Sequence, residues 1–73
     1  MVKTIDVTSK SQVERISDLA ANSPFEVWLS NDTVMLDARS LLGLFSLIGS
    51  RVHVVVEDDV NPRAFEKLVE KMA

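Results

Sequence analysis

The sequence predicts an α+β fold, an open-faced β-sandwich in which the helices lie on one face of a four-stranded antiparallel sheet, in the order β-α-β-β-α-β-α. Two observations favour this class. The predicted strands alternate apolar and polar residues, which is typical of an antiparallel sheet with one covered face. The chain has 73 residues, of which 47% are hydrophobic, and this length leaves room for one core. We therefore expect residues 1–73 to form a single domain.

A change of hydrophobic period marks the first strand and the first helix. In Val2–Thr8, Ile5 and Val7 alternate with polar residues, which predicts a half-buried strand. Ser11–Glu14 fits a capping box, so we expect the helix to begin there. Pro24 disfavours helix at the residue before it and ends the segment. The apolar stripe of this helix has helical spacing and consists of Val13, Ile16, Leu19 and Ala20.

A β-hairpin is predicted next. Phe25–Leu29 alternates as a strand, with Trp28 on the outer face. Ser30-Asn31-Asp32 is rich in turn-forming residues, and Thr33–Leu36 follows as the returning strand. We expect the second strand of the hairpin to place its apolar residues on the buried face, namely Val34 and Leu36.

The second half of the chain contains two further helices and the clearest strand. Ser40–Ile48 is almost wholly apolar and ends at Gly49, which predicts a short helix with a glycine cap. Arg51–Glu57 alternates as a strand, with Val52, Val54 and Val56 on one face and His53 and Val55 on the other. Asn61 and Pro62 begin the last helix. Its apolar stripe consists of Phe65, Leu68, Val69 and Met72.

Composition excludes several classes of function. There is no cysteine, so disulfides and thiolate metal sites are excluded. A net charge of -3 argues against nucleic acid as a partner, since phosphate binding calls for a basic face. No apolar run is long enough for a bilayer, and no signal peptide is recognisable, so we expect a cytoplasmic protein without membrane contact. Glu57-Asp58-Asp59 lacks the spaced ligands of a cation loop, so neither a metal nor a cofactor is predicted.

Residues 38–47 carry the most specific pattern in the chain. They read Ala-Arg-Ser-Leu-Leu-Gly-Leu-Phe-Ser-Leu. This segment resembles the regulatory-serine segment of HPr, the histidine-containing phosphocarrier of the bacterial sugar phosphotransferase system. The valine strand and closing helix that follow are also similar to HPr, as is the opening Lys3–Thr8. The resemblance implies an HPr-type sandwich over nearly the whole chain.

The region after the first strand departs from the HPr pattern. The family carries its phosphoryl group on a histidine there, and a count without gaps places that position on Glu14. The segment Ser9–Ile16 contains neither histidine nor proline. The resemblance therefore implies a protein that is not an enzyme and has lost the phosphocarrier site.

The resemblance also implies a regulatory and a partner-binding site. Ser40 matches the serine that a dedicated kinase phosphorylates in many HPr proteins, and as a helix N-cap its hydroxyl is expected to accept a first-turn amide. Arg39 is placed to accommodate the phosphate. The periodicity predicts that Leu41, Leu44, Leu47 and Ile48 face the core. Leu42 and Phe45 are then left facing outward, as an apolar surface for partner proteins, and Arg39 is expected to take part in partner binding beside them.

We interpret the chain as a non-catalytic, HPr-like protein-binding domain. Its expected partners are components of the phosphotransferase system or a transcriptional regulator, in carbon-source regulation. Two alternatives stay open. One is an unusual phosphoryl carrier that uses His53, the only histidine. The other is a homo-oligomer joined through the open sheet face, which would carry Trp28, Met35 and Val55.

Overall fold

The computed structural model describes residues 1–73 and contains four strands and three helices. They occur in the predicted order β-α-β-β-α-β-α. None of the helices has the length and apolar character needed to cross a membrane. In chain order the elements are β1 (Val2–Val7), α1 (Lys10–Ala21), β2 (Trp28–Ser30), β3 (Met35–Asp37), α2 (Leu41–Phe45), β4 (Ser50–Val55) and α3 (Pro62–Met72).

The strands form one antiparallel sheet in the spatial order β1-β4-β2-β3. β4 is central: it pairs along its whole length with β1, from Val2 opposite Val55 to Val7 opposite Ser50, and on its other side with β2. Because alternate residues of a strand point to opposite faces, β4 buries Val52 and Val54 completely on the covered face. The predicted orientation of this strand is confirmed, and His53 is exposed on the open face.

One hydrophobic core of 18 buried residues lies between the sheet and the helices. α1 packs against both α2 and α3, so it forms the middle of the helical layer. The predicted stripe of α3 is wholly buried, and that of α1 is buried except for Leu19, which is half-buried. An exposed ion pair of 3.7 Å between Lys3 and Glu66 links β1 to α3 at the edge of the sheet.

The caps of the two long helices differ in how well the sequence predicts them. Asn61 caps α3 as predicted, since its Oδ1 accepts hydrogen bonds from the amides of Arg63 (2.8 Å) and Ala64 (3.3 Å). α1 begins two residues earlier than predicted, because Ser9, and not Ser11, is its N-cap. Ser9 Oγ accepts a hydrogen bond from the amide of Gln12 at 3.2 Å. The Ser-x-x-Gln motif that begins at Ser9 therefore caps the helix, and the Ser-x-x-Glu motif that begins at Ser11 does not.

The β2–β3 hairpin is shorter than predicted. Residues 25–27 lie outside β2, because the chain that follows β3 turns away after Asp37. One backbone hydrogen bond to the neighbouring segment is left to them, from the Ala38 amide to the Val27 carbonyl (3.0 Å). Val34 is 41% exposed, so its predicted burial is wrong. It belongs to the turn, where its amide donates to Asn31 Oδ1 at 3.0 Å, rather than to the ladder.

Candidate protein-binding surface

The α2 segment is a single short helix held against the end of the sheet. The amide of Ser40 donates to the Asp37 carbonyl (2.9 Å), which turns the chain out of β3. Only residues 41–45 are α-helical, not the predicted 40–48. Ser46 ends the helix, and its Oγ donates to the Gly43 carbonyl at 2.7 Å. Gly49 then adopts a φ of 91°, which L side chains rarely tolerate, as the chain enters β4.

The exposed apolar residues of this segment differ in part from those predicted. Leu44 and Leu47 are buried as predicted, and Leu42 faces solvent with 85% of its surface exposed. Leu41 and Ile48, predicted to face the core, are each 38% exposed. Phe45, predicted to face outward, is half-buried and packs against the core. Leu41 and Phe45 lie within the helix, where nearly every residue is apolar, so no polar face sets which side turns to the core. Ile48 follows the helix, and there the chain has changed to turns, so helical spacing no longer governs its side-chain direction.

Ser40 is exposed and does not cap α2 with its side chain, so the predicted cap hydrogen bond is not formed. Its hydroxyl lies instead beside Gly43, where an added Cβ would be 3.2 Å from Ser40 Oγ and 3.4 Å from Leu36 Cδ1. The glycine thus allows the first turn of α2 to lie close to both side chains.

Arg39 is already engaged by carboxylates. Its Nε and Nη2 donate to Asp37 at 3.0 and 2.7 Å, and Nη2 lies 3.4 Å from Glu26. The hydrogen bonds from the Arg39 side chain and amide lower the pKa of Asp37 to about 2, and the same pairing raises the pKa of Arg39. The Arg39 carbonyl also accepts a hydrogen bond from Ser17 Oγ at 3.1 Å, which ties this turn to α1. A phosphate on Ser40 would therefore compete with Asp37 for the guanidinium.

The N-terminal part of α1, where the sequence predicts the lost phosphocarrier position, is organised around Gln12. Glu14 is exposed and forms no ion pair. Gln12 is the one buried polar residue of the chain. Its Nε2 donates to the carbonyls of Asp6 (2.8 Å) and Met72 (3.0 Å), and its Oε1 accepts the amide of Thr8 (2.8 Å).

Arg15 completes this arrangement at the end of α3. Its Nε donates to the Lys71 carbonyl at 2.8 Å, and its Nη2 donates to the Ala73 carbonyl at 3.1 Å. Its guanidinium thus bonds carbonyls that have no partner inside the helix. The roles of Gln12 and Arg15 were not predicted from the sequence, although Gln12 at the fourth position of Ser-x-x-Gln is a recognisable cap signature.

His53 lies on the open face of the sheet, remote from the helical layer that contains Ser40 and α1. Its Nδ1 is 3.1 Å from Thr4 Oγ1, and its strand neighbours are Thr4 on β1 and Ser30 on β2. The structure therefore does not bring His53 together with any other predicted site residue of the helical layer. The same open face carries Val2 (59% exposed) and Met35 (58% exposed), with Trp28 and Val55 half-buried between them.

The fold is an HPr-type sandwich. Its sheet is open and antiparallel, with strands in the order β1-β4-β2-β3, and its three helices lie on one face. Solved structures have the same fold. HPr-C-His from Thermoanaerobacter tengcongensis superimposes with a TM-score of 0.76 at 22% identity, covering 99% of this chain and 90% of that one. The phosphocarrier protein HPr from Bacillus anthracis str. Ames gives a TM-score of 0.73 at 20% identity, covering 97% and 94%.

These comparisons confirm the predicted fold, an α+β sandwich of HPr type. The sequence matches no family model and no curated protein. The likeness is therefore carried by the backbone arrangement over nearly the full length of both chains, and it is a likeness of fold.

Proposed function

We propose that the chain is a cytoplasmic, non-catalytic, HPr-like domain that binds partner proteins through the surface around α2. The observation that carries this proposal is Leu42, which is 85% exposed in the first turn of α2. A large aliphatic side chain this exposed is a natural anchor for a partner, because covering it removes apolar surface from water. Leu41, Ser40 and Arg39 are exposed beside it, and Phe45 contributes the part of its ring that the core leaves free.

The α1 segment supports a role without phosphoryl transfer. A phosphoryl carrier needs a nucleophilic imidazole beside free helix-terminal amides. In this chain the Ser9 hydroxyl accepts a hydrogen bond from a first-turn amide of α1, so that amide is not free for a phosphoryl group. The side chains of Gln12 and Arg15 are hydrogen-bonded to backbone groups. The carboxylate of Glu14 would repel an incoming phosphate. His53 is the only imidazole, and it lies on the opposite face of the sheet.

Ser40 is proposed as a phosphorylation site that modulates this surface. Ser40 is exposed and lies one residue from Leu41 and two from Leu42 in the chain. Since it makes no cap hydrogen bond, modification breaks no bond that holds α2. A phosphate would add about 1.5 to 2 negative charges at the rim of the apolar surface and so change which partners fit. The expected partners are components of the phosphotransferase system or a transcriptional regulator.

The binding surface is tested by affinity capture from the native host with two matched variants. Leu42→Ser removes the exposed anchor, whereas Val34→Ser removes an exposed apolar side chain from the β2–β3 turn. Both should melt like the parent protein. We expect Leu42→Ser to lose the partners that the parent and Val34→Ser retain. Retention of every partner by Leu42→Ser would show that α2 is not the interface. Phe45 is left intact in this test because its packing on the core makes its removal destabilising.

The phosphorylation site is tested with the serine kinase of the phosphotransferase system and ATP, followed by peptide mass analysis. We expect a single acid-stable phosphate on Ser40 that is lost in Ser40→Ala and kept in Ser46→Ala. Modification of Ser46 alone would overturn the assignment. The same experiment tells whether the kinase accepts the chain at all.

A second candidate function is self-association through the open face, favoured by the exposure of Val2 and Met35 beside Trp28. Sedimentation over a wide concentration range measures it, and Met35→Ser is expected to shift any dimer towards monomer. A monomer at all concentrations would contradict this role while leaving the α2 surface untouched.

A further inference from the structure

The cations of the chain are paired very unevenly. Three of them are neutralised by carboxylates: Lys3 by Glu66, Arg39 by Asp37 and Glu26, and Arg51 by Asp6. Arg15 is bonded to backbone carbonyls. The remaining four cationic side chains have neither a carboxylate within 4.0 Å nor a backbone partner, and three of these four belong to α3: Lys10, Arg63, Lys67 and Lys71. Unpaired positive charge is thus concentrated on one helix of a chain whose net charge is -3.

Two of these lysines border an apolar groove between α1 and α3. The groove has a volume of about 370 Å³. Leu19 at the end of α1, Phe25 and Leu68 supply its apolar lining, with Ala64 beside them and Lys67 and Lys71 along one side. Leu19 and Phe25 are half-buried, so each presents part of its side chain to this groove while the rest packs on the core.

The lining of the groove contains no aspartate or glutamate. This is notable because the chain has 11 acidic residues, more than its 8 lysines and arginines. Lys67 and Lys71 are one helical turn apart, so their ammonium groups lie on the same side of α3. An apolar cleft with two free cations on one side complements a ligand that has an apolar side chain flanked by carboxylates.

We propose that this groove binds an acidic segment of a partner protein, with an apolar side chain inserted between α1 and α3 and carboxylates facing Lys67 and Lys71. The position is distinct from the α2 surface, since α1 separates α3 from α2 in the helical layer. Charge decides between occupants. Two lysines are too few to hold nucleic acid on a protein with a pI of about 4.9.

The size of the effect follows from the exposure of the two lysines. An exposed ion pair changes an equilibrium by up to about fivefold, so the loss of two pairs should weaken binding by roughly tenfold. Salt should weaken it as well, because exposed charges are screened over about 10 Å at 0.1 M ionic strength. The apolar contribution does not depend on salt in this way and sets the affinity that remains.

The test uses a fluorescein-labelled amphipathic peptide of about four helical turns, built from leucine, alanine and glutamate, with fluorescence anisotropy as the readout. A second peptide has lysine in place of every glutamate. We expect the acidic peptide to bind the parent chain and the basic peptide to bind at least tenfold more weakly. Amide chemical shifts should change around Leu19, Phe25 and Leu68 and not around Leu42.

The matched variants are Lys67→Glu with Lys71→Glu, the neutral pair Lys67→Gln with Lys71→Gln, and Lys10→Glu as a control. Lys10 is also an exposed, unpaired lysine, but it lies at the first residue of α1, away from the groove. We expect roughly tenfold weaker binding for the neutral pair, a larger loss for the charge-reversed pair, and less than a twofold change for Lys10→Glu. The neutral pair keeps the test valid if charge reversal unfolds α3.

Several results would overturn the proposal: no binding of the acidic peptide, equal binding of both peptides, or equal losses for Lys10→Glu and the Lys67 and Lys71 pair. Binding of anionic phosphatidylglycerol vesicles in preference to the peptide would assign the groove to a lipid surface instead. Leu42→Ser should leave the peptide affinity unchanged, so failure of the α2 proposal and failure of this one are separate outcomes.

Discussion

The side-chain amide of Gln12 donates a 3.0 Å hydrogen bond to the carbonyl of Met72, sixty residues away in the chain. Through its other bonds the same side chain joins the end of β1 to the start of α1. One buried glutamine thus connects three elements at the place where an HPr-like protein is expected to keep its phosphocarrier site. Its polar atoms are fully satisfied, and no buried side-chain nitrogen or oxygen atom in the structure lacks a partner.

Replacement of Gln12 by methionine should destabilise the fold. The side chain has a similar size, so packing is largely kept, but the amide of Thr8 and the carbonyl of Asp6 lose their partner. The Met72 carbonyl keeps only the 3.5 Å hydrogen bond from Arg15 Nη2. A buried group left without a partner costs about 1 to 3 kcal/mol. Urea unfolding followed through Trp28 fluorescence measures this loss. Ser11→Ala, on the exposed side of α1, is the control and should stay within about 0.5 kcal/mol of the parent.

Alanine substitutions at the N-cap residues of α3 and α2 should have unequal effects on stability. Asn61→Ala removes two cap hydrogen bonds and should cost about 1 kcal/mol. Ser40→Ala removes no cap bond, so its cost should be below about 0.5 kcal/mol. Thermal unfolding of both variants under one set of conditions gives the comparison. Equal losses would mean that Ser40 caps α2 in solution.

The Asp37–Arg39 pair predicts a particular acid titration. The Arg39 hydrogen bonds lower the pKa of Asp37 from 3.8 to about 2. Because the folded-state pKa lies below the unfolded one, the pair stabilises the fold above pH 4 or so, and that contribution is lost as the pH falls through about 2. Carboxyl carbon NMR should show this low pKa in the parent protein. In Arg39→Gln it should return towards 3.8, while Asp6, whose pKa is lowered by Arg51, keeps its own value. An unchanged Asp37 titration in Arg39→Gln would contradict the assigned cause.

Phosphoryl transfer from phosphoenolpyruvate should not occur on this chain. The first enzyme of the phosphotransferase system and labelled phosphoenolpyruvate are the reagents, and intact-mass analysis at neutral pH is the readout. We expect no added phosphate, because His53 is remote from α1 and no imidazole lies at its N-terminal end. Stoichiometric acid-labile phosphate that disappears in His53→Ala would restore the carrier hypothesis. An HPr that has its histidine serves as the positive control for the enzyme.

The sequence by itself determined the order of the elements and the orientation of the long ones. In β4 the alternation of Arg51, Val52, His53 and Val54 fixes which face is buried, because the period of a strand is two. In α3 the apolar residues share one face and charged residues cover the other, so only one face is suited to the core. Asn61 and Pro62 mark the beginning of this helix. These are local patterns, and nothing elsewhere in the fold competes with them.

Only the tertiary structure decided which side chains form the exposed surfaces. In Leu41–Phe45 almost every residue is apolar, so no polar face orients the helix, and packing against β3 and α1 determined that Phe45 is half-buried while Leu42 is exposed. Neither the bond between Gln12 and Met72 nor the groove beside Lys67 is visible in any short window of the chain. Periodicity assigns a residue to a face of its own element. Which other element covers that face depends on contacts between residues far apart in sequence.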